Sequence, residues 1–269
     1  FLILELKEKY GLLIILLAID DEFKFDWISS SYSTIADLVI TSDYVSVDRY
    51  RQSGVNAVFL PLPVSMRLSH DDSDQKYDIS FVGRLAQDKG SRNNFREYLD
   101  LPEHNLNVSW FTSSEPEEYL TTEEMYDVFR NSNINLNFTG ITSYRNAPNV
   151  LFDRIRTIKL RPFEIMSAGG FCLTEYSIGL SKCFRDGEEV VYFRNKKELI
   201  QKIRYYLKHP DEAKRIAIAG SKVVERNFSK EAISTKFSEL ISDSQANKGL
   251  DLYGDPQEIL VSTLFAHHF

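Results

Sequence analysis

The sequence of 269 residues predicts an α/β protein with two parallel sheets, each covered by helices on both faces. Short apolar runs, almost without interruption, alternate with longer helical patterns, and strands that are buried on both faces have this appearance. The alternation stops in a polar stretch with two prolines at 61–76 and then begins again. Because hydrophobic residues make up 43% of the chain, each half can build its own core.

Composition excludes several classes of protein. The 32 Lys and Arg residues are outnumbered by 39 Asp and Glu residues, so no overall field attracts the chain to nucleic acid or to anionic lipid. Two cysteines are too few for a disulfide scaffold and favour the cytoplasm. The longest apolar run, 12–19, is shorter than the roughly 20 residues of a transmembrane helix. We therefore expect a cytoplasmic globular protein without a transmembrane segment, which binds any anionic ligand through a local basic cluster.

The first part of the chain, 1–64, reads as an incomplete Rossmann-like domain. The chain opens with Phe1 inside a helical pattern and has three strands before the polar stretch, so we expect the beginning of this domain to be missing. The pattern predicts, in order, a helix over 1–10 that Gly11 ends, a strand at 12–19, a polar turn at 20–27, a helix near 28–36, a strand at 36–42, a helix near 43–53 that ends at Gly54, and a strand at 56–63.

The second part follows a linker at 65–76 and reads as another Rossmann-like domain over 77–228. The last part, 229–269, opens with an amphipathic helix that Ser229 caps. Two such domains in series place a ligand cleft between the carboxyl ends of their strands. The predicted strands are 77–83, 105–111, 134–140, 171–174 and 189–193, and the predicted helices lie near 91–99, 121–130, 153–168, 195–208, 210–226 and 229–242.

Two cations follow the first strand of the second domain. In the stretch "FVGRLAQDKG" at 81–90, Gly83 allows a tight turn, and Arg84 and Lys89 precede the start of a helix. Cations beside a helix that begins at the cleft suit a diphosphate group. A plain strand-turn-helix unit with solvated charges would show the same pattern.

A carboxylate stands among further cations in the stretch "KLRPFEIMSAGGFCLTE" at 159–175. Lys159 and Arg161 lie about one turn before Glu164 on the predicted helix. A carboxylate cannot help to bind phosphate, but it can accept hydrogen bonds from the 2′- and 3′-hydroxyls of a ribose. Cations for a diphosphate and an acceptor for a ribose are what a nucleotide-sugar donor requires. A surface helix whose charges pair three and five positions apart is the alternative.

This stretch and the one at 184–229, "FRDGEEVVYFRNKKELIQKIRYYLKHPDEAKRIAIAGSKVVERNFS", resemble the carboxyl-terminal domain of group 1 glycosyltransferases with the GT-B fold. The pattern R-x-F-E…GG…TE is most similar to the CgeB-like subgroup, and the likeness spans 78–228. The acceptor-side domain of that subgroup resembles the first part of the chain. The resemblance implies an α/β GT-B protein with two Rossmann-like domains, the first incomplete, which transfers a hexosyl group from a nucleotide diphosphate-sugar without a metal.

The resemblance also implies which residues bind the donor. Arg84 and Lys89 match the pair at the diphosphate, and Glu164 matches the glutamate at the ribose. The chain departs from the family at Arg156, where many relatives carry a glutamate near the donor sugar. The predicted donor-binding residues are Gly83, Arg84, Lys89, Lys159, Arg161, Glu164, Gly169 and Gly170, of which the two last glycines end a helix and let the backbone pass close to the nucleotide.

Asp20 and Asp21 are the candidate catalytic residues, because they follow a strand on the acceptor side and would face the cleft. They would serve as a base or as an anchor for the acceptor hydroxyl, whereas a turn or a helix N-cap is their plain structural explanation. The five histidines are scattered, so we expect no metal and no cofactor besides the donor substrate. The acceptor, whether glycan, lipid-linked or protein, is not specified by the sequence.

Three other functions compete with glycosyl transfer. A catalytically silent homologue that binds a nucleotide or a partner is favoured by Arg156 and by the short first domain. A nucleotide-sugar epimerase of the same fold would need acidic residues and histidines in the cleft that the sequence does not supply. A nicotinamide oxidoreductase is disfavoured because no G-x-G-x-x-G follows a strand.

The resemblance further implies that the last helix crosses back from the donor domain onto the acceptor-side domain. The apolar residues Ile233, Phe237, Leu240 and Ile241 would then contact residues below 65, and the tail would continue along the first domain. Packing wholly on the second domain is the alternative.

Overall fold

The computed structural model describes residues 2–68, 75–85, 90–112, 119–140 and 156–248. Within these ranges the chain forms two parallel sheets, one in a first lobe up to residue 64 and one in a second lobe from residue 77. All eight strands that the apolar runs predict are present. The prediction of an α/β fold with parallel sheets is therefore confirmed.

The first lobe contains three parallel strands in the order β1-β2-β3. Asp43 caps the helix after β2 by accepting hydrogen bonds from the N–H groups of Val45 and Ser46. Gly11 and Gly54 take positive φ angles after helices, as their predicted capping positions require. The elements are α1 (Leu2–Tyr10), β1 (Ile15–Ala18), α2 (Asp21–Lys24), a π-helical turn (Phe25–Ser29), α3 (Ser30–Ser33), β2 (Leu38–Thr41), α4 (Tyr44–Gln52) and β3 (Ala57–Phe59).

The second lobe contains five parallel strands in the order β5-β4-β6-β7-β8. Alternate residues of neighbouring strands belong to opposite apolar clusters, with Cys172 and Tyr192 on one face and Leu173 and Val191 on the other. The sheet is thus covered on both faces. The elements are β4 (Tyr77–Val82), α5 (Gly90–Leu99), a 3₁₀ turn (Pro102–His104), β5 (Val108–Phe111), α6 (Thr122–Arg130), β6 (Ser132–Asn137), α7 (Arg161–Ser167), β7 (Cys172–Glu175), α8 (Ile178–Cys183), β8 (Val191–Phe193), α9 (Lys196–Lys208) and α10 (Pro210–Phe228).

The strand order of the second sheet reverses at β4. The chain leaves β4 for β5 on one side and then returns to β6 on the other side. In open parallel sheets, ligands bind at the carboxyl ends of the strands beside such a reversal. Gly83 follows β4 and Thr139–Gly140 come after β6, so these residues lie where a ligand site is expected.

The polar turn predicted at 20–27 is wrong, because the segment is helical from Asp21 onward. Asp20 takes a left-handed conformation with φ 64°, and its carbonyl accepts hydrogen bonds from the N–H groups of Phe23 and Lys24. This carbonyl starts the helix at once, without a turn between strand and helix. The left-handed conformation is uncommon outside glycine, although aspartate tolerates it better than most residues.

The helix predicted over 153–168 is also wrong in its first half, since α7 begins at Arg161 and residues 157–160 are not helical. Pro162 lies in the first turn of α7. A longer helix would place this proline in its interior, where it lacks an N–H donor and clashes with the carbonyl four residues earlier. Other boundaries differ less, although α8 is an element that the sequence did not predict.

A final helix, α11 (Lys230–Lys248), is longer than the predicted 229–242. Ser229 caps it as predicted, since its Oγ accepts a hydrogen bond from the N–H of Ala232 at 3.2 Å. Ser229 also pairs with Val64 in a parallel β-bridge, and Ile233 is buried in the cluster that contains Val64. The helix then packs against α10. Its start thus meets the end of the first lobe, and the tail beyond 248 lies outside the described residues.

We expect Gly170→Ala to lower the free energy of unfolding by about 2 kcal/mol or more in urea titrations, because overpacking costs about 1–3 kcal/mol and sometimes more. A Cβ at Gly170 would lie 2.7 Å from the carbonyl oxygen of Phe129 and 2.9 Å from the amide nitrogen of Asn135. Gly54→Ala is the control, because Gly54 has φ +77° and no atom within 4 Å of an added Cβ. It should cost about 1 kcal/mol through its backbone conformation alone. Equal losses for the two variants would contradict a steric role for Gly170.

Candidate functional site

Gly83 and Arg84 continue β4 at the carboxyl edge of the second sheet. The N–H of Gly83 donates to the carbonyl of Phe111 at 3.2 Å, which keeps the chain beside β5. Arg84 is exposed, and its carbonyl accepts a hydrogen bond from the guanidinium group of Arg92 at 3.2 Å. Arg92 thus places a second cation beside Arg84, which sequence reasoning missed. Lys89, the other predicted cation, lies outside the described residues.

Glu175 is the buried anion of this edge, with 2% of its surface exposed at the end of β7. Its Oε2 accepts hydrogen bonds from the N–H groups of Thr139 at 2.9 Å and Gly140 at 3.0 Å. Its Oε1 lies 2.6 Å from Nε of Arg156. Arg156, the residue at which the sequence departs from the resembled family, is therefore bound within the protein. The signal in the sequence was an acidic residue that ends an apolar strand, to which no role was assigned.

Glu164 and Arg161 form an ion pair on α7. The Arg161 guanidinium donates to Oε2 of Glu164 at 2.8 Å and lies over the ring of Phe129, 5.4 Å from its centroid. The side chain of Glu164 keeps 18% of its surface exposed. The pairing at three residues' separation is the alternative that the sequence left open, but a carboxylate has acceptor sites on both oxygens, so Oε1 remains able to accept from a ligand. Lys159, just before α7, is half-buried.

Gly169 and Gly170 both meet structural requirements of the fold. Gly169 takes φ +84° after α7, as a helix-ending glycine does. Gly170 is buried against β6, where a side chain would not fit. These requirements explain the pair of glycines without a nucleotide, so their predicted contact with the donor stays a prediction.

The catalytic role predicted for Asp21 is contradicted by its burial. Asp21 is 0% exposed, and its Oδ2 accepts hydrogen bonds from Thr41 and from the hydroxyl of Tyr50, both at 2.8 Å. Burial, with the charge of Asp21 next to it, raises the pKa of Tyr50 well above its usual value. Asp21 is thus a buried group of the first lobe, with its Oδ1 lacking a hydrogen-bond partner, and does not face the cleft. Asp20 is half-buried, with 44% of its side chain exposed, and pairs with Lys24 at 3.5 Å.

Glu22 is the acidic residue of this run that meets the second lobe. Its Oε1 accepts a hydrogen bond from the backbone N–H of Ile158 at 2.9 Å. Burial raises the pKa of Glu22 to about 7, and the nearby Asp43 carboxylate adds to the rise, while the hydrogen bond from Ile158 and the charge of Lys159 oppose it. Sequence reasoning missed Glu22, because nothing in the run "DDE" indicates which of the three side chains faces the other lobe.

Glu22 therefore brings a carboxylate of the first lobe to the segment of the second lobe that leads into α7. Lys159 belongs to this segment and its charge lowers the pKa of Glu22, while Glu164 follows on α7. The lobes also meet where the ammonium group of Lys182 lies 4.8 Å from the centroid of the Tyr44 ring. Such a combination of carboxylates and cations can hold a ligand that carries both hydroxyl groups and negative charge.

Solved structures with the same fold are glycosyltransferases of the GT-B class. Sucrose-phosphate synthase from Thermosynechococcus elongatus superposes with a TM-score of 0.64 over 91% of this chain and 71% of its own, at 14% identity. Anabaena HepE, solved with UDP-glucose, gives a TM-score of 0.60 over 88% of this chain and 74% of its own, at 12% identity. The pneumococcal O-GlcNAc transferase GtfA, solved with UDP and GlcNAc, gives 0.54 over 81% and 48%, at 11% identity. At these identities the likeness shows the GT-B fold.

The family follows from the sequence itself. The model of the glycosyl transferase-like family matches residues 82–238, which is more than half of the chain, so the chain belongs to this family. No curated protein sequence gives a significant match. The CgeB-like subgroup stays a prediction. In the part of the chain that the structure describes, the helices are too short or too polar to cross a bilayer.

The raised pKa of Glu22 predicts a pH dependence of stability. The folded carboxyl group holds its proton more tightly than the unfolded one, so its contribution to the free energy of unfolding falls as the pH rises from about 4.5 to about 7. Glu22→Gln removes this fall. Relative to the parent, the variant should therefore gain on the order of 1–2 kcal/mol between pH 4.5 and 8 in urea titrations, allowing for partial solvent screening.

Glu103→Gln, a change at an exposed position far along the chain, is the control. Its difference from the parent should stay flat over the same pH range. A flat difference for Glu22→Gln as well would mean that Glu22 is not desolvated between the lobes.

Proposed function

We propose that the chain is a hexosyltransferase that moves a sugar from a nucleotide diphosphate-sugar to a hydroxyl group of an acceptor, without a metal ion. The observation that carries this proposal is the ion pair between a partly exposed carboxylate, Glu164, and Arg161 at the start of α7, in a chain of the glycosyl transferase-like family. In the second sheet the strand order reverses at β4, and ligands bind beside such a reversal in this architecture. The UDP and UDP-glucose bound in HepE support a uridine nucleotide as the first donor to test.

In the proposed donor site, three groups of residues have separate roles in binding the nucleotide diphosphate. Glu164 accepts hydrogen bonds from the ribose hydroxyls, with Arg161 holding its carboxylate in place. Arg84, Lys89, Lys159 and the neighbouring Arg92 offset the charge of the diphosphate, because charge-assisted hydrogen bonds to phosphate are the stronger class. Gly83 keeps the strand end free of a side chain, so that the diphosphate can approach the backbone.

Transfer breaks the bond between the anomeric carbon and the diphosphate oxygen, and the electron pair leaves with the diphosphate. The acceptor oxygen forms the new bond to the anomeric carbon, and its proton is released to solvent. Negative charge therefore grows on the diphosphate, where fixed cations stabilise it more in the transition state than in the ground state. In this proposal Arg84 and Lys159 provide that stabilisation, which makes a divalent cation unnecessary.

The acceptor would enter from the first lobe. Asp20, half-buried just after β1, remains a candidate anchor for the acceptor hydroxyl, whereas Asp21 does not. The two free thiols, Cys172 and Cys183, support a reducing compartment such as the cytoplasm.

A thermal-shift panel tests the proposal directly, because a ligand that binds the folded state raises the melting temperature by mass action. We expect one of UDP, GDP, ADP, CDP and dTDP, or its sugar, to raise the melting temperature at millimolar concentration, and EDTA to leave the shift unchanged. Loss of the shift with EDTA would contradict metal independence. No shift with any nucleotide would contradict donor binding, and a shift without turnover of the sugar would favour the catalytically silent homologue.

Two variants should separate the ribose from the diphosphate. We expect Glu164→Ala to weaken both uridine and UDP by about 5- to 150-fold in calorimetry, since the loss of a buried acceptor costs about 1–3 kcal/mol. Arg84→Ala should weaken UDP and leave uridine unchanged.

Two controls accompany this comparison. Glu164→Gln keeps an acceptor oxygen and should lose less, and Arg215→Ala removes an exposed charge from α10 without affecting either ligand. A uniform loss for uridine and UDP in Arg84→Ala would contradict the assignment of the diphosphate.

A further inference from the structure

The carboxylate of Glu22, a residue of the first lobe, contacts the backbone of the second lobe. It lies in the first turn of α2, directly after the carboxyl end of β1. Its partner, the N–H of Ile158, lies on the non-helical segment that leads into α7, and 136 residues of sequence separate the two. The carboxyl group of Glu22 is thus held between the carboxyl edges of the two sheets, where this architecture binds its ligands.

The neighbouring acidic groups of the first lobe are occupied by the fold. Asp21 is buried with Thr41 and Tyr50, and Asp43 caps α4. Asp20 is half-buried and pairs with Lys24. Glu22 differs from these three residues because its carboxylate accepts a hydrogen bond from the second lobe.

This inference rests on the proposed function, in which the donor lies along the segment that leads into α7. A nucleotide-sugar is a linear ligand in which ribose, diphosphate and sugar follow one another. With the ribose at Glu164 and the diphosphate at Lys159, the sugar would lie along the preceding residues, 156–158, which Glu22 of the first lobe contacts. Arg156 cannot offer an acceptor there, because it is a cation and is paired with Glu175.

We propose that Glu22 binds the hydroxyl groups of the donor's sugar and thereby contributes to the choice of sugar. A carboxylate accepts hydrogen bonds from neighbouring hydroxyls at both of its oxygens, and the bond from Ile158 occupies one site on Oε1. The first lobe thus contributes the acceptor that the segment around Arg156 lacks. Sugar specificity then depends on contact between the lobes.

The electrostatic surroundings of Glu22 agree with a ligand-binding role. Burial and the Asp43 carboxylate hold its pKa near 7, while Lys159 lowers it. Near neutral pH the carboxyl group is therefore partly protonated in the absence of ligand, and hydroxyl donors would favour its ionised form. Perturbed carboxyl groups in a cleft are more often functional than those on an open surface.

Calorimetry with UDP, UDP-glucose, UDP-galactose and UDP-GlcNAc tests the proposal, with the matching set used if another nucleotide stabilises the chain best. We expect one sugar nucleotide to bind the parent more tightly than the nucleotide alone. Glu22→Ala should weaken that sugar nucleotide by about tenfold and change the affinity for the nucleotide alone by less than twofold. Glu22→Gln, which keeps the acceptor for Ile158, should lose less, and Glu103→Gln should lose nothing.

The outcomes separate this inference from the proposed function. Equal effects of Glu22→Ala on the nucleotide and on its sugar conjugate would overturn the sugar contact and leave donor binding intact. A parent that binds no sugar nucleotide more tightly than the nucleotide would overturn it too, since the sugar would then make no net contact. Absence of binding to every nucleotide would overturn the proposed function, and this inference with it.

Discussion

The carboxylate of Glu175 fixes the carboxyl edge of the second sheet. It is 2% exposed, accepts hydrogen bonds from the N–H groups of Thr139 and Gly140, and pairs with Arg156. Burying a carboxylate is costly unless its oxygens are satisfied, and the loop after β6 and the segment before α7 both supply partners to Glu175. Glu175 therefore helps to set the course of the backbone from 156 to 161, together with the β-bridge between Gly140 and Arg156 and the hydrogen bond from the N–H of Thr157 to the carbonyl of Thr139.

A row of buried amides holds the strands that lead to this edge. The amide of Asn135 accepts from Ser80 on β4 and donates to the carbonyl of Phe171 before β7, and the amide of Asn137 donates to Thr174. Such groups are satisfied in one register and left unpaired in any other, which makes a slipped pairing costly. The central strands β4, β6 and β7 consequently end at the same level, and the chain after each of them enters the carboxyl edge of the sheet.

The sequence predicted the strands well but only part of the site, and one physical reason explains both outcomes. An apolar run reports that a segment is buried, which is enough to identify a strand of a covered parallel sheet. It does not report which partner a polar side chain finds, so the pairing of Arg161 with Glu164 and the burial of Asp21 were left open or misjudged. Helix α8, with six residues, is too short to show a period. Pro162 did carry a readable signal, namely that no long helix could run through it.

The run Asp20-Asp21-Glu22 shows how local geometry assigns three roles to three similar residues. The left-handed Asp20 starts a helix immediately after β1, and successive side chains on a helix point about 100° apart. Asp21 consequently turns into the core and Glu22 toward the second lobe. Because Glu22 meets a backbone N–H there, the contact depends on the course of the 156–161 segment rather than on the side chain of residue 158. Glu175 helps to position this segment of the second lobe, and the position of the segment in turn determines the contact that Glu22 of the first lobe makes.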